Sequence, residues 1–490
     1  MVSRASRQPL LLPHAKVPHW RLVAVIAVTV AVGGLAATEF PLVALVGALG
    51  ILALGVAAFD LPKAERAATL LLVSGAMILG RGWANLGIPG AIPIPATEIV
   101  FIPLAGIALL YRRTRLDFKV LLPLCLYATL VGIRLLFDFP VWGTYAIRDV
   151  TFALEAFILT IGYRAVMRDG VEAWWRRMRY VAFAVLIYGA VYPFLDLAGV
   201  TGPMVGLQRE SPLFDSTGVK FSVIAMSLYF VIFGSGWLRV VSLGLALGLL
   251  TQYQARTLYI MLPLALLVLG WATRRFDKIL MATVPALLIA AGIFLWASAN
   301  GIEGTEGPVS TEFLVSHLDT LTGAEGPNAA TIDARQSFFS QTVDAVAQNP
   351  GTILVGLGLG PDLTFGQWTG KHDQLVRNPH NSYLETFART GIVGFALWMW
   401  ILFACIRRIA AKARSGAGLQ ENFCAWILAA SSVYLGVAAA QPIMAFPYGT
   451  VPLFFLLGMG VAASQGPQAP NSEPDSLQGS DPQTLGSSAA

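Results

Sequence analysis

The sequence predicts an all-α fold: a polytopic membrane helix bundle of about 12–14 transmembrane helices with one large loop on its outer side. Of the 490 residues, 56% are hydrophobic and 12% are charged, whereas soluble proteins carry about 25% charged residues. Apolar runs recur at close to the roughly 20 residues that a membrane-spanning helix needs. The basic residues cluster between these runs, which indicates membrane topology rather than a nucleic-acid partner.

The apolar runs divide the chain into about fourteen candidate spans. The first run, Leu22 to Ala37, is long for the core of a signal peptide and is followed by further spans, so we expect a retained helix. The candidate spans begin near Trp20, Pro41, Ala67, Ile99, Val120, Arg148, Val181, Gly218, Val240, Thr257, Ile279, Gly391, Phe423 and Thr450.

The charge pattern gives the expected orientation of these spans. With a cytoplasmic start and fourteen spans, every basic cluster falls on the cytoplasmic side, as the positive-inside rule requires. The clusters are Arg4/Arg7/Lys16/Arg21, Lys63/Arg66, Arg112/Arg113/Arg115/Lys119, the run from Arg164 to Arg179, Arg274/Arg275/Lys278, and Arg407/Arg408/Lys412/Arg414.

This topology predicts five segments. Residues 1–19 form a cytoplasmic N-terminus, 20–298 transmembrane helices 1–11, 299–390 the outer loop, and 391–464 helices 12–14. Residues 465–490 are rich in Ser, Gln, Pro, Gly and Asp, a composition typical of a disordered cytoplasmic tail.

The outer loop differs in composition from the rest of the chain. From Ser298 to Thr390 it has ten acidic and four basic residues, and three of the five histidines. Residues 330–348 show helical periodicity, which Asn349-Pro350-Gly351 ends. The segment Gly356-Leu-Gly358-Leu-Gly360, hereafter the glycine turn, lacks the spacing of a nucleotide loop and predicts a tight turn.

Familiar metal and cofactor motifs are missing from the sequence. Cys125, Cys405 and Cys424 are scattered without CxxC spacing and read as small buried hydrophobes. There is also no HExxH zinc pattern, no P-loop and no GxSxG elbow. We therefore expect neither a metal nor a cofactor.

The segment from Arg377 to Glu385, at the point where the loop re-enters the membrane, is the main candidate for chemistry. His380 is either a polar residue at a helix start or a general base, because neutral imidazole can take a proton from a hydroxyl. The helix is predicted to begin either with Asn378 as cap before Pro379, or with Ser382 and Glu385 forming a capping box. Both registers place His380 beside a helix N-terminus, which favours anions.

Several arginines are expected on the same outer face. Taken singly, each can snorkel or pair with a nearby acid. Taken together they favour an anionic ligand, because guanidinium forks match phosphate oxygens. Asp149 and Glu155 could serve a proton path or pair with Arg148 or another neighbour. The arginines are Arg81, Arg134, Arg148, Arg209, Arg256, Arg335, Arg377 and Arg389.

The order of these motifs resembles a known family. Arg335 is followed by Asn349-Pro350, the glycine turn, and Pro379-His380-Asn381-Ser382-Tyr383-Leu384-Glu385 leading to Gly391-Ile392-Val393-Gly394. This is similar to the carboxy-terminal signature of the O-antigen ligase and O-antigen (exopolysaccharide) polymerase family of polytopic membrane glycosyltransferases. The signature covers about 70 residues, and the many-helix layout extends the resemblance less specifically.

The resemblance implies a multi-pass protein of the bacterial inner membrane whose active site faces the periplasm. Members of the family take a glycan from undecaprenyl pyrophosphate without a metal. By the same resemblance His380 is catalytic, and Arg209, Arg256 and Arg335 bind the pyrophosphate. Arg256 lies in Gln254-Ala255-Arg256-Thr257 rather than the more usual Ser-Arg-Gly setting. Secondary site candidates are Arg377, Asn381, Glu385 and Arg148.

Three functions are compatible with the sequence. The first is a polymerase of lipid-linked repeat units, and the second is a ligase that passes finished glycan to lipid A-core or protein. The third is a transporter of lipid-linked sugars, which usually shows internal repeats and broken mid-membrane helices. The expected partners are undecaprenyl-pyrophosphate-linked glycans, membrane lipids, and the flippase and chain-length or export proteins of a polysaccharide system.

Overall fold

The computed structural model describes residues 61–88, 94–110, 116–200, 202, 204–205, 211–304, 307–319, 329–366 and 377–465. The predicted spans near Trp20 and Pro41, the N-terminal segment and the tail after residue 465 lie outside this part of the chain. Arg209 and the histidine at position 372 also lie outside it.

The described residues form helices joined by short segments and two small β-hairpins. The helices are α1 Leu61–Leu79, α2 Arg81–Asn85, α3 Ala96–Leu110, α4 Phe118–Trp142, α5 Thr144–Glu155, α6 Ile158–Asp169, α7 Val171–Leu197, α8 Val219–Phe233, α9 Gly236–Tyr253, α10 Arg256–Thr273, α11 Phe276–Ala299, α12 Thr311–Asp319, α13 Ala329–Ala347, α14 Pro350–Val355, α15 Ser382–Ala413, α16 Leu419–Ala438 and α17 Pro447–Ser464. The antiparallel hairpins pair β1 Gly87–Ile88 with β2 Ile94–Pro95, and β3 Met204–Val205 with β4 Ser211–Pro212.

The predicted all-α membrane bundle is confirmed, and the chain is a multi-pass membrane protein. Each of the predicted spans from Ala67 onward coincides with a helix. Among the described residues, eight helical segments are long and apolar enough to cross a membrane: α4, α5 with α6, α7, α10, α11, α15, α16 and α17. Helices α3 and α8 are apolar but shorter.

Ion pairs at one end of the bundle join several of the basic clusters to acidic side chains. Arg408 Nη2, near the end of α15, lies 2.6 Å from Asp117 Oδ2 at the start of α4. Arg66 Nη2 lies 2.9 Å from Asp169 Oδ1 at the end of α6. We call this the basic end. Helix α4 has 25 residues, which at about 1.5 Å per residue separates the basic end from the opposite, loop end by roughly 37 Å.

The loop contains more helix than the sequence predicted. The predicted helix over 330–348 is present as α13, and α12 precedes it. Asn349 does not merely end α13, because its side chain accepts a hydrogen bond from Thr352 N at 2.9 Å and so caps α14. Helix α15 starts at Ser382, nine residues before the predicted start at Gly391.

Gly391 divides α15 into a short loop-end part and a long span. Its φ of 64° interrupts the helix, and residues with a side chain rarely adopt that angle. A Cβ at this position would lie 2.3 Å from the carbonyl of Leu354. The kink therefore lets α14 pack directly against the backbone of α15.

Helices α6 and α17 also pack with their backbones in contact. A Cβ on Gly162 would lie 2.2 Å from the carbonyl oxygen of Phe455, and one on Gly458 would lie 2.1 Å from that of Leu159. Small residues permit such approach between membrane helices. Helix α17 is buried along most of its length, so this crossing lies inside the bundle.

We predict that Gly162→Ala destabilises the protein by about 1–3 kcal/mol or more, because the added methyl group forces two backbones apart. The matched control is Gly132→Ala on α4, where a Cβ meets nothing within 4 Å. Thermal loss of monodisperse protein in detergent measures both variants. Equal midpoints for the two would contradict the close crossing.

Candidate functional site

The glycine turn has the backbone that its sequence predicts. Gly356, Gly358 and Gly360 have φ angles of 81°, 101° and 100°, a region that favours glycine. Glycine is also required sterically, because a Cβ on Gly358 would lie 2.6 Å from Asp138 Oδ2. The turn connects α14 to the segment that leads into α15.

The loop-end part of α4 holds the glycine turn from one side. Asp138 Oδ2 accepts hydrogen bonds from the backbone N–H of Leu359 at 2.7 Å and from Arg134 Nε at 3.0 Å. Arg134 Nη2 in turn donates to the carbonyl of Gly356 at 3.3 Å. The pair therefore satisfies a donor and an acceptor of the turn.

Arg389 holds the turn from the other side and is fully buried. Its Nη1 lies 2.5 Å from Asp149 Oδ2, and its Nε lies 3.2 Å from Glu385 Oε1. The same Asp149 oxygen accepts a hydrogen bond from Gly360 N at 2.8 Å. Arg148 Nη2 lies 3.1 Å from the other oxygen. Of the two interpretations of Asp149, pairing with arginines is the arrangement observed.

The turn also makes backbone contact with the start of α15. Leu357 N donates to the carbonyl of Ala388 at 2.7 Å, and Gly358 N donates to that of Arg389 at 3.3 Å. A Cβ on Gly356 would lie 2.4 Å from the carbonyl of Arg389. Helix α5, the turn and α15 are thus fixed to one another.

The cap of α15 corrects both predicted registers. Asn381 is the N-cap, and its Oδ1 accepts from Tyr383 N and Leu384 N at 3.0 Å each. The prediction of an Asn378 cap before Pro379 was therefore wrong, and so was the Ser382–Glu385 capping box. Ser382 Oγ instead donates to the carbonyl of Gln441 at 2.9 Å, and Glu385 turns toward Arg389. Tertiary partners outcompete the local cap.

His380 directly precedes this cap and so lies within a turn of the helix N-terminus, which both predicted registers imply. It has a φ of 53°, and its backbone N–H donates to Asn378 Oδ1 at 3.4 Å. Burial, and next the positive charge of Arg335, lower the pKa of His380 from 6.5 to about 4. The imidazole is therefore neutral near pH 7 and can accept a proton.

The predicted arginines occupy different positions around His380. Arg335, on α13, is near enough to act on the pKa of His380. Arg377 Nη2 donates to the carbonyl of Gly360, and its guanidinium carbon lies 3.8 Å from the centre of the Tyr145 ring. Burial, and next the charge of Arg148, lower the pKa of Arg377.

Arg256 is half-buried at the first position of α10. That start of α10 lies at the loop end, because a Cβ on Gly436 of α16 would collide with Met261 Sδ. The same stretch of α16 receives a hydrogen bond from Tyr383 Oη to the carbonyl of Leu435 at 2.9 Å. The structure thus puts Arg256 and the start of α15 at one end of the bundle.

Sequence reasoning missed the importance of Arg389 and Asp138. Arg389 was only one of many outer-face arginines, and Asp138 was not considered. The i,i+4 spacings Glu385–Arg389 and Arg134–Asp138 are visible in the sequence and favour ion pairs. That signal could have been used, but it does not reveal which distant backbone groups such pairs bind.

A family model described as O-antigen ligase matches residues 240–399. The matched segment includes Arg256, Arg335, the glycine turn and His380. A search of curated proteins found no match. The family resemblance drawn from the sequence is thereby confirmed for this segment.

We predict that Asp138→Ala loosens the glycine turn by about 1–3 kcal/mol, since it removes a buried acceptor from Leu359 N and from Arg134. Amide hydrogen exchange over residues 356–363 should accelerate about five- to 150-fold. The control is Asp277→Ala, an exposed residue at the start of α11. Unchanged exchange in Asp138→Ala would contradict the clamp.

A second prediction concerns pH and His380. The pKa of about 4 in the folded state lies below the ordinary 6.5, so the unfolded chain binds more protons between these values. The free energy of unfolding is therefore fully retained above about pH 6.5 and falls as the pH drops toward 4. Chemical unfolding is measured near pH 7.5 and near pH 5. The decrease in the free energy of unfolding between these two pH values should be smaller for His380→Gln than for the parent. An equal decrease in the two proteins would contradict a lowered pKa of His380 in the folded state.

Proposed function

We propose that this multi-pass membrane protein is a glycosyltransferase, because the O-antigen ligase family model matches residues 240–399. In the proposed reaction it passes a glycan from a lipid pyrophosphate to a sugar hydroxyl. The observation that supports this most is a neutral histidine at the loop end, beside the charge of Arg335. His380, as proton acceptor, and Arg335, as cation, therefore lie close together where the loop leads into α15.

In the proposed reaction His380 takes the proton of the acceptor hydroxyl. The oxygen then bonds to the anomeric carbon of the donor sugar, and the bond from that carbon to the pyrophosphate oxygen breaks. The leaving pyrophosphate carries away the electron pair as negative charge. Arg256 and Arg335, with Arg209, stabilise this charge by guanidinium–phosphate contacts in place of a metal ion.

The buried network supports this assignment by fixing the base. Asn381 caps α15 immediately after His380, and the start of α15 is fixed to α5 through Arg389 and Asp149. A base held by packed helices needs little reorganisation when the substrate binds. In this proposal three neighbouring residues hold His380 in position and do not bind the substrate's phosphates: Arg377, Asn381 and Glu385.

We propose polymerisation of lipid-linked repeat units as the specific reaction. A ligase that transfers finished glycan to lipid A-core or protein uses the same chemistry, and the description of the matched family fits it equally well. For both reactions we propose the bacterial inner membrane, with undecaprenyl pyrophosphate as the donor lipid and the loop end facing the periplasm. The transporter alternative would not form a glycosidic bond.

The experiment that tests the function is incubation of the purified protein with undecaprenyl-pyrophosphate-linked repeat units and no other acceptor. Longer lipid-linked chains, separated by gel electrophoresis, are the expected product. The His380→Ala variant should insert and purify normally but form product at least about 10²-fold more slowly, as expected for loss of a general base. Normal chain growth in that variant would contradict the role of His380.

The same reaction separates the three functions. Chain growth from repeat units alone supports the polymerase. Product that appears only after lipid A-core is added supports the ligase instead. Movement of the lipid-linked glycan across vesicles without a new glycosidic bond would overturn both transferase proposals.

A further inference from the structure

Two carboxyl groups, those of Glu98 and Glu155, lie inside the bundle beyond the site already described. Glu155 is the last residue of α5 and is 1% exposed. Glu98 belongs to the first turn of α3, and both of its side-chain oxygens are buried. Glu98 acts electrostatically on Glu155, so the two groups lie near each other. Glu155 follows Asp149 along α5, about 9 Å deeper in the bundle at 1.5 Å per residue.

This pair has no counter-charge among the described residues. Glu98 Oε1, Glu98 Oε2 and Glu155 Oε1 have no hydrogen-bond partner in that part of the chain, and α17, which packs against Glu155, carries no charged side chain. Two carboxylates in such an interior repel each other and lose their hydration, unless a proton removes one of the charges. The arginines on the other neighbouring helices are paired elsewhere: Arg81 with Asp215, Arg134 with Asp138, and Arg164 with Glu65.

The hydroxyl of Thr450 indicates which carboxyl holds a proton. Thr450 Oγ1 lies within hydrogen-bonding distance of two oxygens, Glu155 Oε2 and the carbonyl of Phe446 at 3.0 Å. A hydroxyl has one hydrogen to donate and two lone pairs that accept. When Thr450 donates to Phe446, as Thr side chains do within helices, its contact with Glu155 needs a hydrogen from the carboxyl. A proton on Glu155 therefore makes both contacts hydrogen bonds.

The ends of the two helices favour the same assignment. Glu155 stands at the C-terminus of α5, where the helix dipole disfavours a negative charge. Glu98 stands in the first turn of α3, where the dipole favours one. A single proton shared by the pair is thus more stable on Glu155, and the negative charge is more stable on Glu98.

We propose that Glu98 and Glu155 form a proton-binding site inside the bundle, with the proton on Glu155 and its hydrogen bond on Thr450. The protonated carboxyl joins the end of α5 to the start of α17 without placing a second charge in the interior. Because α5 also carries Asp149, the proton stabilises the helix that positions the candidate site. This inference does not depend on the proposed glycosyl transfer.

The test is infrared spectroscopy of the full-length protein in detergent, because the carbonyl stretch of a protonated carboxylic acid is separate from that of a carboxylate. Spectra are recorded near pH 7.5, where an ordinary glutamate is ionised. Isotope labelling of the glutamate carboxyl carbon shifts the band and so distinguishes glutamate from aspartate. We expect a band of protonated glutamate in the parent and its loss in Glu155→Gln. Thr450→Val should shift the frequency of this band, because it removes the hydrogen-bond acceptor.

Glu172→Gln is the matched control, since Glu172 is an exposed glutamate that pairs with Arg176 at the basic end. Its spectrum should keep the band. Glu155→Gln should also unfold at the same temperature as the parent, because the amide has the shape and the neutral charge of the protonated acid. The proposal is overturned if the parent shows no band of protonated glutamate, if Glu155→Gln keeps the full band, or if Glu155→Gln fails to fold or unfolds at a clearly lower temperature.

Discussion

The buried ion pair between Arg389 and Asp149 is the constraint on which the site depends. Arg389 is fully buried and its Nη1 lies 2.5 Å from Asp149 Oδ2. Burying two charges costs several kcal/mol per ion unless each is paired and hydrogen-bonded. Here the cost is offset by further contacts, because the same Asp149 oxygen accepts Gly360 N and Arg389 also meets Glu385. Removing one partner would leave the other charge with only its more distant counter-ion, Arg148 for Asp149 or Glu385 for Arg389.

This pair explains why segments far apart in the sequence act as one site. Asp149 belongs to α5, in the first third of the chain, Gly360 to the loop and Arg389 to the start of α15. Fixing these three also fixes what lies between them, namely the segment with His380 and its cap. The kink at Gly391 separates this short rigid part from the long span that follows. The part of α15 before Gly391 can therefore hold His380 in place, while the part after Gly391 packs in the bundle.

The sequence predicted the helical class, the position of the loop helix and the glycine turn, because these follow from periodicity and from residues with special backbone preferences. It failed at the start of α15. Local capping rules favoured Asn378 or Ser382, but Ser382 and Glu385 are drawn to Gln441 and Arg389, which are partners that local sequence does not contain. The same limit hid Asp138, since its role depends on how α4 meets the loop.

The central claim is tested most directly by a double-mutant cycle on Asp149→Asn and Arg389→Gln. Unfolding of the parent, both single variants and the double variant is measured in detergent at constant pH. Each single change should cost up to about 3–5 kcal/mol, because it removes the closest partner of a buried charge. The double variant should cost clearly less than the sum of the two, with a coupling free energy of at least about 1 kcal/mol. Additive costs would show that the two residues stabilise the site independently and would contradict the account.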